Sequence, residues 1–279
     1  MGDVVQPEYT RWKNMEKPTL KPLSVAELLD RALQLYKRHA LLLIQVSAVV
    51  LIPYTIISSV LLLYFDDTRL RSSIFNVFVF PFIELAMIAA ISSLYLGKGI
   101  TVRNSFSIGV KRYWTRIGVN LLIGSAMIPA IFLFILLSFV GINLLGLIVF
   151  IPIVAYLSTR WSLAAPILIL ETGEAVESMK RSWALTEGCF WHVFGTSFTA
   201  GLLAQLLSVL PSIFINYLLE QIQAVPPKLI LIVPIVVEQL AAVIAYPLII
   251  GVTVSIYYDL RIRKEGFDLM FMADAQSEL

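Results

Sequence analysis

Six apolar runs, each long enough to cross a bilayer, leave this chain few ways to fold. They cover about 40–64, 73–96, 117–140, 144–163 (extending toward 170), 190–219 and 229–257. Roughly 20 helical residues cross the ~30 Å of hydrocarbon in a membrane. No water is available there, so each run must satisfy its own backbone hydrogen bonds. The runs are continuous and do not alternate with period two, which predicts helices rather than a barrel. The composition of 58% hydrophobic and 14% charged residues agrees. The expected fold is an all-α integral membrane protein with six transmembrane helices in three hairpins, each preceded by a cytosolic amphipathic surface helix. Residues 1–39 are polar, and the first apolar run is too long for a signal-peptide core, so no signal peptide is expected. The single Cys189 excludes an intrachain disulfide and a cysteine metal cluster.

The polar stretches between the runs carry most of the information. The longest is Arg160 to Gly195. Within it, Glu174 to Thr186 has helical periodicity, with Val176, Met179 and Trp183 on one face. Glu177 and Arg181 are spaced to pair at i, i+4 on the other face. Gly188 marks its end. This spacing predicts a helix lying on the membrane surface. Leu23 to Arg38 has a similar stripe, of Val25, Leu28, Leu29, Ala32, Leu35 and Tyr36. It opens on a capping box of Ser24 and Glu27, with Leu23 and Leu28 as its hydrophobic staple.

Orientation follows from Lys and Arg. Seven lie before the first run, five in 97–116, three in 160–190 and three in the tail. The opposite loops hold two, none and one. The positive-inside rule therefore places both termini in the cytosol. The expected setting is the plasma membrane of a prokaryote. The expected organisation is a cytosolic arm over 1–22, a six-helix membrane domain over 23–258 and a cytosolic tail over 259–279. Lys-Arg dyads recur at Lys37/Arg38, Lys111/Arg112 and Lys180/Arg181, spaced 74 and 69 residues apart. That spacing suggests a repeated unit, over 23–97, 98–171 and 172–258. The alternative is that Lys-Arg is common at any cytosolic membrane edge.

Glu84 lies near the middle of the second run. A carboxylate at that depth costs on the order of 3 kcal/mol and should face protein or a cavity. Glu238, in the last run, is a second intramembrane candidate. The functional reading is a proton or cation site; the plain reading is hydrogen bonding between helices. Prolines in every run either break helices around a binding site or reflect ordinary transmembrane usage. Arg160 and Glu171 could pair, or Arg160 could reach toward phosphates. Trp161, Trp183, Trp191, Tyr257 and Tyr258 fit an interfacial aromatic belt. His39 and His192 have no partner at ligand spacing, so neither metal nor cofactor is expected. No phosphate-cradling loop, zincin motif or nucleophile elbow is present.

Three stretches, LSVAELLDRALQLYKRH, RWSLAAPILILETGEAVESMKRSWALTEGCFW and YYDLRIRKEGFDL, resemble the membrane region associated with bacterial glycerophosphoryl diester phosphodiesterases and its stand-alone relatives. The resemblance runs from Leu23 to Leu269. In the fused proteins the chemistry resides in a separate soluble barrel, whose metal and histidine constellation has no counterpart in two isolated histidines here. The resemblance thus implies a membrane module near phosphodiester lipids and does not carry over the enzyme activity.

Two functions follow as expectations. One is a non-catalytic membrane protein engaging phospholipid headgroups, anionic ones foremost, or a protein partner at the cytosolic face. Its candidates are Lys37, Arg38, Lys111, Arg112, Lys180, Arg181 and Arg160. The other is a small transporter or lipid translocator using Glu84 and Glu238. The basic patches flank membrane spans, so nucleic-acid binding has no support.

Overall fold

The computed structural model describes residues 23–64, 75–171, 173–222 and 225–266. The expected arm, the loop with Asp66, Asp67, Arg69 and Arg71, and the tail beyond Gly266 lie outside the described residues. Every described element is helical. The order is α1 (Val25–Tyr64), a π-helical turn (Phe75–Val79) leading into α2 (Phe80–Tyr95), α3 (Val102–Lys111), α4 (Tyr113–Phe139), α5 (Asn143–Trp161), α6 (Ala164–Leu170), α7 (Ala175–Thr186), α8 (Phe190–Glu220) and α9 (Pro227–Glu265). Six helical stretches are long and apolar enough to span a membrane: Val25–Leu62, Val77–Tyr95, Tyr113–Phe139, Asn143–Leu170, Phe190–Glu220 and Lys228–Glu265. They match the six apolar runs.

The capping box forms as the sequence predicts. Ser24 N donates to Glu27 Oε2 at 2.6 Å, and Glu27 N donates to Ser24 Oγ at 3.4 Å. The helix it starts reaches Arg38, where a kink at the non-helical His39 (φ −126°, ψ 25°) separates it from the first span, as the sequence predicts. The amphipathic stretch runs beside α9. A Cβ built on Gly251 would stand 3.5 Å from Ala32 Cβ, and the backbone of Leu23 reaches Asp259. The two helices are therefore antiparallel and close.

At 39 residues, α9 is about 60 Å long. Even at a 40° tilt, a helix of that length covers about 46 Å along the normal, against ~30 Å of hydrocarbon. Part of α9 therefore stands outside the hydrocarbon. The charged end of α9 carries Arg261, Arg263, Lys264 and Glu265, against Leu23 at the head of α1; this is called the basic end below.

Burial follows that division. From Ile83 to Ile91, α2 is almost wholly enclosed, with Leu85, Ala86, Met87 and Ile88 at zero exposure. A helix apolar on every side needs neighbours on every side. They are α1, α3, α6 and α9. The hairpin of α4 and α5 is the opposite case. Leu121, Phe132 and Phe139 are 65%, 66% and 91% exposed, as helices solvated by lipid can be. The α8–α9 pair packs closely, whereas α1 packs more extensively on α9 than on α2. Proline also shapes the chain: Pro166 offers no N–H to Ser162, and the helix breaks between Trp161 and Ala164.

The segment 97–116 folds back against α2. Phe106 stacks on Phe82 with centroids 5.2 Å apart. Gly109 lies so close to α2 that a Cβ there would meet Ala86 N at 3.0 Å. Backbone atoms cannot yield as a side-chain tip can. Gly109→Val is therefore expected to destabilise by about 1–3 kcal/mol through overpacking. Gly124→Ala, where a Cβ meets nothing within 4 Å, is expected to be neutral or stabilising. Unfolding in detergent with both variants measures the difference.

Candidate functional site

The closing turns of α9 collect the basic end around themselves. Asp259, 1% exposed, is their centre. Its Oδ1 accepts from Leu23 N at 2.9 Å, and its Oδ2 accepts from Arg263 Nε at 2.7 Å. Arg263 Nη2 also donates to Leu23 O at 2.6 Å. His192 Nε2, at the start of α8, stands 3.3 Å from Oδ2 without hydrogen-bond geometry. A buried carboxylate in this position is stabilised by pairing with a charge and by backbone donation.

Neighbouring residues of the same helix reach other elements. Tyr258 stacks on Tyr95 of α2 at 4.5 Å and shares a 3.0 Å hydrogen bond with Ser92. Arg31 of α1 lies over the Tyr95 ring at 5.1 Å. Tyr257 donates to Glu171 Oε1 at 2.7 Å, and Arg261 donates to Tyr257 Oη at 3.2 Å. Glu171 also accepts from Arg181 Nε at 2.9 Å. Arg181 pairs in addition with Glu265. Lys264 donates to the carbonyls of Ala184 and Glu187 at 2.8 and 2.6 Å, completing the open end of α7. Tyr257 and Tyr258 are therefore buried, at 0% and 3% exposure, and do not belong to an aromatic belt. The sequence pairing of Glu177 with Arg181 also gives way: Arg181 reaches across helices to Glu171 and Glu265, and Glu177 is exposed.

The predicted cations fall into two groups. Lys37, Arg38, Lys111 and Lys180 are exposed and form no ion pair among the described residues. Arg112, Arg181 and Arg160 are engaged with protein. Arg112 lies against Gly173, whose φ is +69°, and Nη1 donates to its carbonyl at 3.4 Å. A Cβ on Gly173 would meet the guanidinium carbon at 2.2 Å. Arg160 does not pair with Glu171. Its guanidinium lies over Tyr156 and Trp183 at 5.1 and 5.0 Å, a cation–π arrangement. Ser182 repairs the break between α5 and α6: it accepts from Leu163 N at 3.2 Å and donates to Arg160 O at 2.7 Å.

Glu84 faces protein. It receives two hydrogen bonds from Arg116 of α4, from Nε at 2.8 Å and Nη2 at 3.1 Å. Both side chains are 12% exposed. The bidentate geometry is the strong form of this pair. Arg116 Nη1 and the nearby Tyr246 hydroxyl are buried without partners among the described residues. Glu238 is half-buried in α9, and no described contact joins it to Glu84. No cluster of three metal-ligating side chains occurs among the described residues.

A cleft of about 530 Å³ opens between α4, the end of α5 and α7. Leu122, Ser125 and Ala126 form one wall, Val176, Met179, Lys180 and Trp183 the other, and Trp161 closes it. The face of Val176, Met179 and Trp183 was legible from helical spacing; the wall from α4 was not. The closing network had a sequence signal too, since Tyr257/Arg261, Asp259/Arg263 and Arg261/Glu265 are all i, i+4 pairs at one helix end.

Asp259→Asn is expected to destabilise the protein by about 3 kcal/mol or more, because it leaves Arg263 without its countercharge in a buried site. Glu177→Gln, an exposed change, should stay within about 0.5 kcal/mol of the parent. Equilibrium unfolding in detergent compares the two.

The family model for the membrane domain of glycerophosphoryl diester phosphodiesterase matches residues 115–269. No curated protein and no solved structure matches the chain. The matched residues run from α4 through α9 and include the cleft and the α7, α8 and α9 members of the closing network; its partners Leu23, Arg31, Ser92 and Tyr95 lie outside them. The match covers more than half of the 279 residues, and the chain belongs to the family of the membrane domain of glycerophosphoryl diester phosphodiesterase.

Proposed function

We propose that this protein is a non-catalytic multi-pass membrane protein whose cytosolic face engages anionic phospholipid headgroups. The observation that carries this reading is the division among its cations. Arg181 and Arg263 are neutralised by carboxylates within the fold. Lys37, Arg38, Lys111 and Lys180 remain exposed and unpaired among the described residues. Cations outside an ion-pair network are free to meet phosphate, each contributing about 1 kcal/mol near an anionic surface. The 18 to 3 excess of Lys and Arg on one side supports a cytosolic basic end with both termini there, in a plasma membrane. The transport reading has less support. Both oxygens of Glu84 already accept from Arg116, and no contact among the described residues joins Glu238 to that pair.

The test separates free from committed cations. Replacing Lys37, Lys111 and Lys180 together by Gln is expected to lower retention of anionic phospholipid in native mass spectrometry by roughly 100-fold, from three terms of about 1 kcal/mol. Fold and topology should not change. Retention by the parent should fall with salt. Equal retention by parent and variant at low salt contradicts the proposal.

A further inference from the structure

Resting on that reading, we infer that the cleft between α4 and α7 seats one acyl chain of an anionic phospholipid, with Lys180 on its phosphate. The cleft has the polarity of such a molecule. Leu122, Ala126, Trp161, Met179 and Trp183 make its body, and Lys180 is the charged residue in its lining. One wall belongs to a lipid-exposed helix, where Leu121 and Ile128 are 65% and 60% exposed. The other belongs to α7, which presents Glu177 and Lys180 to solvent. An amphiphile crossing from one wall to the other passes from hydrocarbon to headgroup region in the order of its own chemistry.

The volume of about 530 Å³ falls within the ordinary range for small-molecule sites. Its walls are also stiff. Trp183 is contacted by both Arg160 and Trp161, with ring centroids of the two indoles 6.2 Å apart. The helix bearing it is tied down by Ser182 and Lys264. Charge complementarity selects the occupant. Arg181, the adjacent cation, is taken by Glu171 and Glu265. Lys180 makes no ion pair among the described residues, and the nearest acidic residue on its own helix, Glu177, does not line the cleft. Lipid chains gain little by leaving other lipid for an apolar groove. The cleft therefore fixes position and headgroup choice more than total affinity.

Tryptophan fluorescence tests this directly. Trp12, Trp114 and Trp191 are replaced by Phe, which leaves Trp161 and Trp183 as reporters. The protein in phosphatidylcholine micelles is titrated with phosphatidylglycerol brominated mid-chain, or with phosphatidylcholine brominated likewise. Quenching should saturate at low mole fraction and favour the anionic lipid about five-fold, the equivalent of 1 kcal/mol from one lysine. Lys180→Gln should abolish the preference. Ala126→Phe, which fills the cleft, should abolish the saturating component, and Ser125→Leu serves as a second filling variant if the first melts early. Quenching that rises linearly and equally for both lipids means ordinary boundary lipid and overturns the inference. If filling changes nothing while the triple Gln variant still loses anionic lipid, the chain seat falls and the electrostatic reading stands. If neither assay shows a headgroup preference, both fall.

Discussion

Asp259 is buried with almost no solvent, and the basic end depends on how its carboxyl group is satisfied. A buried carboxylate is tolerated only where donors and a countercharge meet it. Here the donors come from opposite ends of the described chain. Leu23 supplies its backbone N–H, and Arg263 supplies a guanidinium that also takes the Leu23 carbonyl. One carboxylate thus fixes the head of α1 to the tail of α9. Two residues earlier on α9, Tyr257 draws in Glu171, and Glu171 draws in Arg181 and with it α7. Tyr258 secures α2 through Ser92 and Tyr95. The last turns of α9, from Tyr257 to Glu265, therefore meet α1, α2, α7 and the connection after α6.

The two halves of the molecule answer to different solvents. In hydrocarbon, burying an apolar side chain against another helix gains little, because lipid is as apolar as protein. The lipid-exposed surfaces of α4, α5 and α8 fit that condition. Where an amphipathic face meets water, burial is strongly favourable; Leu28, Leu163, Leu185 and Tyr257 form a packed core with the enclosed segment of α2. The fold is thus held mainly from one end. Glu84 and Arg116 add a tie between α2 and the otherwise exposed α4–α5 hairpin. The cleft lies on that hairpin's other flank, where α4 faces α7.

Sequence periodicity reads whatever a helix does by itself. The six spans, the Ser24/Glu27 cap, the end of α7 near Gly188 and the shared face of Val176, Met179 and Trp183 all depend on local spacing, and all were legible. Pairings between helices were not. Arg116 counted as one more loop cation because it borders an apolar run, yet it meets Glu84, 32 residues away. Arg181 has a suitable local partner in Glu177 and takes Glu171 and Glu265 instead, since both are only partly exposed and attract a guanidinium more strongly than a solvated carboxylate does. Tyr257 and Tyr258 resembled interfacial aromatics by position alone. Only the packing of α2 and α6 around them makes them core.

Amide hydrogen exchange on an Arg263→Gln variant measures most directly whether the closing turns of α9 hold the basic end together. That change removes the donor shared by Asp259 and Leu23 while leaving the carboxylate in place. Exchange should rise together in 23–31, in the first turns of α8 around His192, and in 257–265, with the α4–α5 hairpin unaltered. A rise confined to the last turn of α9 contradicts a shared network, and so does a uniform rise across all helices.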